Sequence, residues 1–154
     1  VSSDTFLGRP VEGEVGDYSG QSQAEQWDAD SFKLELDAVL AHSDVVAVIW
    51  KQYTPYFNDG DACVFDFHGL GVALKDAPED AYADDEYYDA DTDEEVKVFD
   101  AYSLEDLNPE LAAKVDTLEK NLAHYETVLH EAFGDPAEVV ATSAGFKISE
   151  YDHD

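Results

Sequence analysis

The chain reads as an α+β domain. A small antiparallel sheet, built from a hairpin at about 45–74 and one or two C-terminal strands, packs against two helices at about 29–42 and 109–133. Three observations predict this. Apolar residues recur at helical spacing in two segments, and they run or alternate at strand length in others. The order helix, hairpin, acidic loop, helix, strand lacks the regular alternation of a parallel α/β fold.

Residues 1–24 contain Gly8, Pro10, Gly13, Gly16 and Gly20 without any period and read as a flexible arm; 25–154 read as one domain. Asp28 or Asp30 caps the first helix, whose stripe is Phe32, Leu36, Val39 and Leu40, and Ser43-Asp44 ends it. Val45–Tyr53 is β-branched and aromatic, as in a strand covered on both faces. Asn58-Asp59-Gly60-Asp61 signals a turn. Cys63, Phe65 and Phe67 then alternate with Val64, Asp66 and His68, which gives a strand one apolar face. Gly69-Leu70-Gly71 predicts a bend before Val72-Ala73-Leu74.

Residues 76–95 are acidic, contain tyrosines and show no clean period, so they read as a long exposed loop. Val96–Tyr102 suggests a short edge strand. Asn108-Pro109 opens a helix, Leu111, Val115, Leu118, Leu122, Tyr125, Leu129 and Phe133 form its stripe, and Gly134 with Pro136 closes it. That stripe suits packing on a sheet. It is also narrow enough for a coiled-coil seam, a route to a homodimer through 111–133. Val139-Val140 and Phe146, Ile148 mark the last strand or strands.

Charge dominates the composition. There are 37 Asp and Glu against 8 Lys and Arg, a formal net charge of −29 on 154 residues. Solubility alone asks for only ~2–8 charges in a small domain, and the excess repels itself. The peak lies at 76–106, with 14 acids and Lys97 as the one base, yet the remainder is still strongly acidic. Aromatic content (8 Phe, 9 Tyr, 2 Trp) argues for a folded chain despite the charge. The single cysteine, Cys63, allows no intrachain disulfide, which suits a cytoplasmic setting. No apolar run approaches a membrane span, and anionic lipid and nucleic acid are both repelled.

The chemistry-bearing residues fit no familiar catalytic pattern. The Asp59 and Asp84–Asp93 regions lack the glycine and glutamate register of a calcium loop. His42, His68, His124, His130 and His153 show no zinc spacing, and Asp152-His153-Asp154 reads as a tail. Cys63 alternates with buried-face phenylalanines, as a small hydrophobe does. No nucleophile elbow or phosphate loop is present, and Arg9 is the sole arginine, which disfavours anionic substrates. The expectation is a non-enzyme with no metal and no cofactor.

The string from Trp50 to Phe65 (Trp-Lys-Gln-Tyr-Thr-Pro-Tyr-Phe-Asn-Asp-Gly-Asp-Ala-Cys-Val-Phe) resembles a motif of small phage and bacterial proteins. The resemblance implies a phage-like setting and carries no reaction with it. On its own residues the string reads as a structural hairpin with an aromatic turn. In size and charge, not in any motif, the chain is similar to phage inhibitors that imitate DNA.

The leading expectation is therefore an acidic nucleic-acid mimic that binds a basic, normally nucleic-acid-binding protein and blocks it competitively, without itself touching nucleic acid. A restriction or other defence enzyme of a host is the expected kind of target. The expected phosphate-imitating acids are Asp76, Glu79, Asp80, Asp84, Asp85, Glu86, Asp89, Asp91, Asp93, Glu94, Glu95, Asp100, Glu105 and Asp106. Tyr82, Tyr87 and Tyr88 would add apolar contacts between them. Two alternatives stay open: a halophilic protein whose acids serve solubility in high salt, and an acidic phage assembly or adaptor protein.

Overall fold

The β-branched and aromatic run at 45–53 forms the centre of the sheet. The structure is a computed structural model describing residues 5–13, 25–54, 66–81, 83 and 85–150. Eight strands occur among them: β1 (Thr5–Phe6), β2 (Arg9–Glu12), β3 (Val45–Tyr53), β4 (Asp66–Leu74), β5 (Asp85–Asp89), β6 (Glu94–Phe99), β7 (Ala137–Thr142) and β8 (Gly145–Glu150). They make one mixed sheet in the order β1-β2-β8-β7-β3-β4-β6-β5. All neighbours are antiparallel except β2 and β8, which run parallel. The helices are α1 (Ala29–Leu40), the single turn α2 (Ala101–Leu104), α3 (Pro109–Asn121) and α4 (Glu126–Phe133).

Helix starts follow the sequence. Asp28 accepts a hydrogen bond from Ser31 N at 2.9 Å, and Asn108 accepts one from Leu111 N at 3.1 Å with Pro109 in the first turn. α1 buries Phe32, Leu36 and Val39, while α3 and α4 bury the stripe from Leu111 to Phe133. These side chains meet Val48, Trp50, Val72, Val139 and Phe146 on one face of the sheet and form the main core. Because the stripe is buried within the chain, it offers no apolar seam to a second copy. The homodimer expected through 111–133 loses its physical basis.

The α+β class holds, but the sheet is large and mixed where a small antiparallel one was expected, and three helices of two turns or more replace two. Three strands that were not expected, β1, β2 and β5, account for the difference. In the stretch read as a flexible arm, Phe6 packs against the rings of Phe32, Phe133 and Phe146, with centroids 5.8, 5.3 and 5.5 Å away. Arg9 adds an ion pair to Asp37 at 2.8 Å. Those contacts hold β1 and β2 on the sheet. Likewise the acidic stretch read as a loop to residue 95 contains β5 and the start of β6, with Tyr87 opposite Val96. β6 is an interior strand; β5 is the edge.

The expected long helix is divided by a 3-10 turn at Leu122–Tyr125. The cause is a side chain placed in the backbone ladder. Gln26 donates to Ala123 O at 3.0 Å and accepts from Thr127 N at 2.8 Å, bridging a carbonyl and an amide four residues apart. Trp27 N donates to His124 O at 2.6 Å, and the two rings stack 3.9 Å apart.

The Trp50–Thr54 part of the distinctive string serves as fastening. Gln52, fully buried, accepts from Trp50 Nε1 at 3.0 Å and donates to Leu129 O at 3.0 Å and Gly134 O at 2.9 Å. Thr54 donates through N and Oγ1 to the buried Asp135 carboxylate, at 3.1 and 2.7 Å. Central strand and helix end are thereby joined. The turn at 58–61, Cys63 and Phe65 lie outside the described residues, as do the C-terminal Asp152-His153-Asp154. The bend expected at 69–71 coincides with a register shift in the β3–β4 ladder, where Gly69 has φ +64°.

Candidate functional site

The charge peak of the sequence becomes three surfaces. Asp76, Glu79 and Asp80 lie exposed on the segment after β4, which Lys97 fastens by donating to the carbonyls of Pro78 (3.3 Å), Glu79 (2.7 Å) and Ala81 (2.9 Å). Asp85, Glu86, Asp89, Asp91, Asp93, Glu94 and Glu95 lie on the β5–β6 hairpin. Asp100, Glu105 and Asp106 surround α2. Tyr82 and Asp84 lie outside the described residues.

Asp100 joins the second and third of these surfaces. It follows β6 and caps α2, accepting from Ser103 N at 2.8 Å. A groove of about 540 Å³ runs from Ala81 past Asp100 and Tyr102 to Glu105 and Asp106. A second, of about 700 Å³, continues between α2 and α3 and adds Asp116, Glu119 and Lys120. A third, of about 530 Å³, opens from Asp100 onto the other side of the sheet, where Asp85 and Glu86 stand at its border. Asp85, Glu86, Asp100, Glu105, Asp106, Asp116 and Glu119 thus form one acidic strip.

The seven acids of this strip outnumber the two bases beside it, Lys120 and, opposite Glu86, Lys97. Lys97 is engaged by backbone carbonyls, and Lys120 pairs with Asp116 at 2.8 Å. Crowding shows in the acids themselves. Burial, then the charges of Asp116 and Asp100, raise the pKa of Glu119 against the opposing pull of Lys120. A hydrogen bond with Glu86, and then the charge of Glu86, raise that of Glu95. Tyr88 donates to Asp93, which raises the phenol's pKa, and Tyr102 stands 84% exposed in the middle of the strip.

The expected residues are brought together only in part. The hairpin tip (Asp89–Glu94) lies at one end, and 76–80 forms a separate exposed segment. The sequence reading missed Asp116, Glu119 and Tyr102. Glu119 flanks the apolar stripe and Asp116 lies further round the helix, where polar residues of any amphipathic helix sit, so no local signal marked them. Of the expected tyrosines, Tyr88 is exposed, while Tyr87 packs over Val96, Ala47 and Ala73.

The face of the sheet away from the helices carries no helix among the described residues. A smaller cluster lies there, with Ala47, Ala73 and Val96 buried beneath Ile49, Tyr87, Val98 and Val140. Burial raises the Tyr87 pKa, and Lys147 on β8 is near enough to oppose that. Residues of β3, β4, β5, β6 and β7 together line one hollow on this face.

Among the described residues no group of three or more His, Cys, Asp or Glu has the arrangement of a metal site. No helix among them is long and apolar enough to cross a membrane. Comparison with family models, curated proteins and solved structures found no match to the chain. Its own residues therefore carry the functional reading: the strip can attract and hold a cationic surface.

Proposed function

We propose that this protein is a nucleic-acid mimic. It binds a basic, normally nucleic-acid-binding protein through the strip from Asp85 to Glu119 and excludes nucleic acid from it. The observation that carries this reading is the run of carboxylates on either side of Asp100, seven acids against the two adjacent bases Lys97 and Lys120. Duplex DNA presents one charge per ~1.7 Å of axis, and a phosphate-binding surface of Lys and Arg answers to such a row. A defence enzyme of a bacterial host is the target class we propose, with a cytoplasmic site of action. The mimic itself performs no catalysis in this reading.

The test is capture from bacterial lysate on immobilised protein at ~0.1 M salt, where the Debye length is ~10 Å. Elution uses a short DNA duplex instead of salt. A stoichiometric DNA-binding protein released by the duplex supports mimicry. A broad set of basic proteins, or none, contradicts it and favours acidity as a solubility device or an assembly role.

A further inference from the structure

The face of the sheet away from the helices holds a trough lined from β3 to β7. Its floor is apolar and partly buried: Ile49 on β3, Val98 on β6, Val140 on β7 and the ring of Tyr87 on β5. The volume of about 530 Å³ exceeds that of any single side chain. Val98 closes on Gly71, where an added Cβ would fall 2.7 Å from Val98 Cγ1, so the glycine beside it leaves this part of the lining open. Acids border this floor: Asp85, Glu86, Asp100 and Glu138. Lys51, the one base in the lining, faces Glu138 directly across the β3–β7 ladder.

We infer that this trough receives one large apolar side chain carried on a Lys/Arg-rich segment of the basic partner. The inference rests on the partner class proposed above and says how that partner is gripped. An apolar floor within an acidic border complements a segment that is apolar at one residue and cationic on either side. A second copy of this chain is a poor occupant, because its own acidic border would be set against this one. The strip supplies attraction that any cation shares; the trough supplies discrimination, since apolar contact persists when salt screens charge.

Two fluorescein-labelled peptides test this, one of eight arginines around a central tryptophan, the other with serine in its place. Anisotropy at ~0.15 M and ~0.5 M salt gives the affinities, and methyl NMR of the full chain locates the contacts. The tryptophan peptide is expected to bind about tenfold more tightly or better, with the ratio retained at the higher salt and the methyl signals of Ile49, Val98 and Val140 shifted. Val140→Lys should remove that ratio and leave serine-peptide binding in place. If that variant does not fold, the methyl shifts of the unaltered protein decide. Equal affinity of the two peptides, with shifts confined to residues 100–119, overturns the trough and leaves the strip standing. No binding of either peptide overturns both.

Discussion

Replacing Gln52 with leucine tests whether the Trp-x-Gln string is a fastener or part of a binding surface. The substitution keeps volume and removes the amide. Trp50 Nε1, Leu129 O and Gly134 O, which it bonds at 3.0, 3.0 and 2.9 Å, then lose that partner in a core position with no solvent access. Each buried polar group left unsatisfied costs about 1–3 kcal/mol. Burying a leucine in place of the amide returns about 1–2 kcal/mol of that sum. The net loss is about 4 kcal/mol, a large part of the ~5–15 kcal/mol that stabilises a domain, and corresponds to a fall in Tm of roughly 8–16 °C. Urea unfolding followed through tryptophan emission measures it, with Trp50 itself a reporter. A loss below about 1 kcal/mol would refute the reasoning. Partner capture by the folded variant should remain unchanged.

Acidification gives a second test. Glu119 and Glu95 have pKa values raised from 4.5, so the stability linked to them is present below 4.5 and lost as pH rises through their folded values. Tm should therefore climb as pH falls from neutrality toward 4.5. It should turn over below 3.8, where Asp28, whose pKa the Ser31 hydrogen bonds lower, loses its cap. A steady decline from neutrality would contradict this. At the alkaline end, burial and then the Glu35 carboxylate raise the Tyr125 pKa above 10, so stability linked to it is full below pH 10 and lost above. Absorbance titration should show a late-ionising tyrosine that Tyr125→Phe removes; a single ordinary transition would contradict it. Gly71→Ala should cost about 1–3 kcal/mol by overpacking against Val98, read by thermal unfolding, and an unchanged Tm would show that β6 yields there.

Much of the fold was legible where local chemistry and tertiary packing agree. Asp28, Asn108-Pro109 and Gly134 mark helix ends by backbone requirements that no distant contact overrides. The β3–β4 pairing followed from apolar runs around a turn signal. β5 was not legible because Asp85-Glu86-Tyr87-Tyr88-Asp89 is an edge strand: one neighbour suffices, and its acids guard the free side. β1 and β2 escaped because what holds them is Phe6 among three distant rings. The break in the α3–α4 stretch was invisible since its apolar spacing continues through the turn; the cause, Gln26, lies about a hundred residues earlier. The acidic strip was half legible. Its density at 76–106 is a property of the sequence, whereas the approach of Asp116 and Glu119 to Asp100 exists only after α2 and α3 pack.

The central claim is that the strip, not total charge, binds the partner. The direct measurement compares capture by the unaltered protein with two variants, each lacking four charges of the net −29. One carries Glu105→Gln, Asp106→Asn, Asp116→Asn and Glu119→Gln. The other carries Glu12→Gln, Asp30→Asn, Glu131→Gln and Glu150→Gln at exposed positions elsewhere. Loss of the duplex-displaceable partner from the first alone is the predicted result. Equal retention, or equal loss, by both would mean that the protein's acidity acts as an undirected whole.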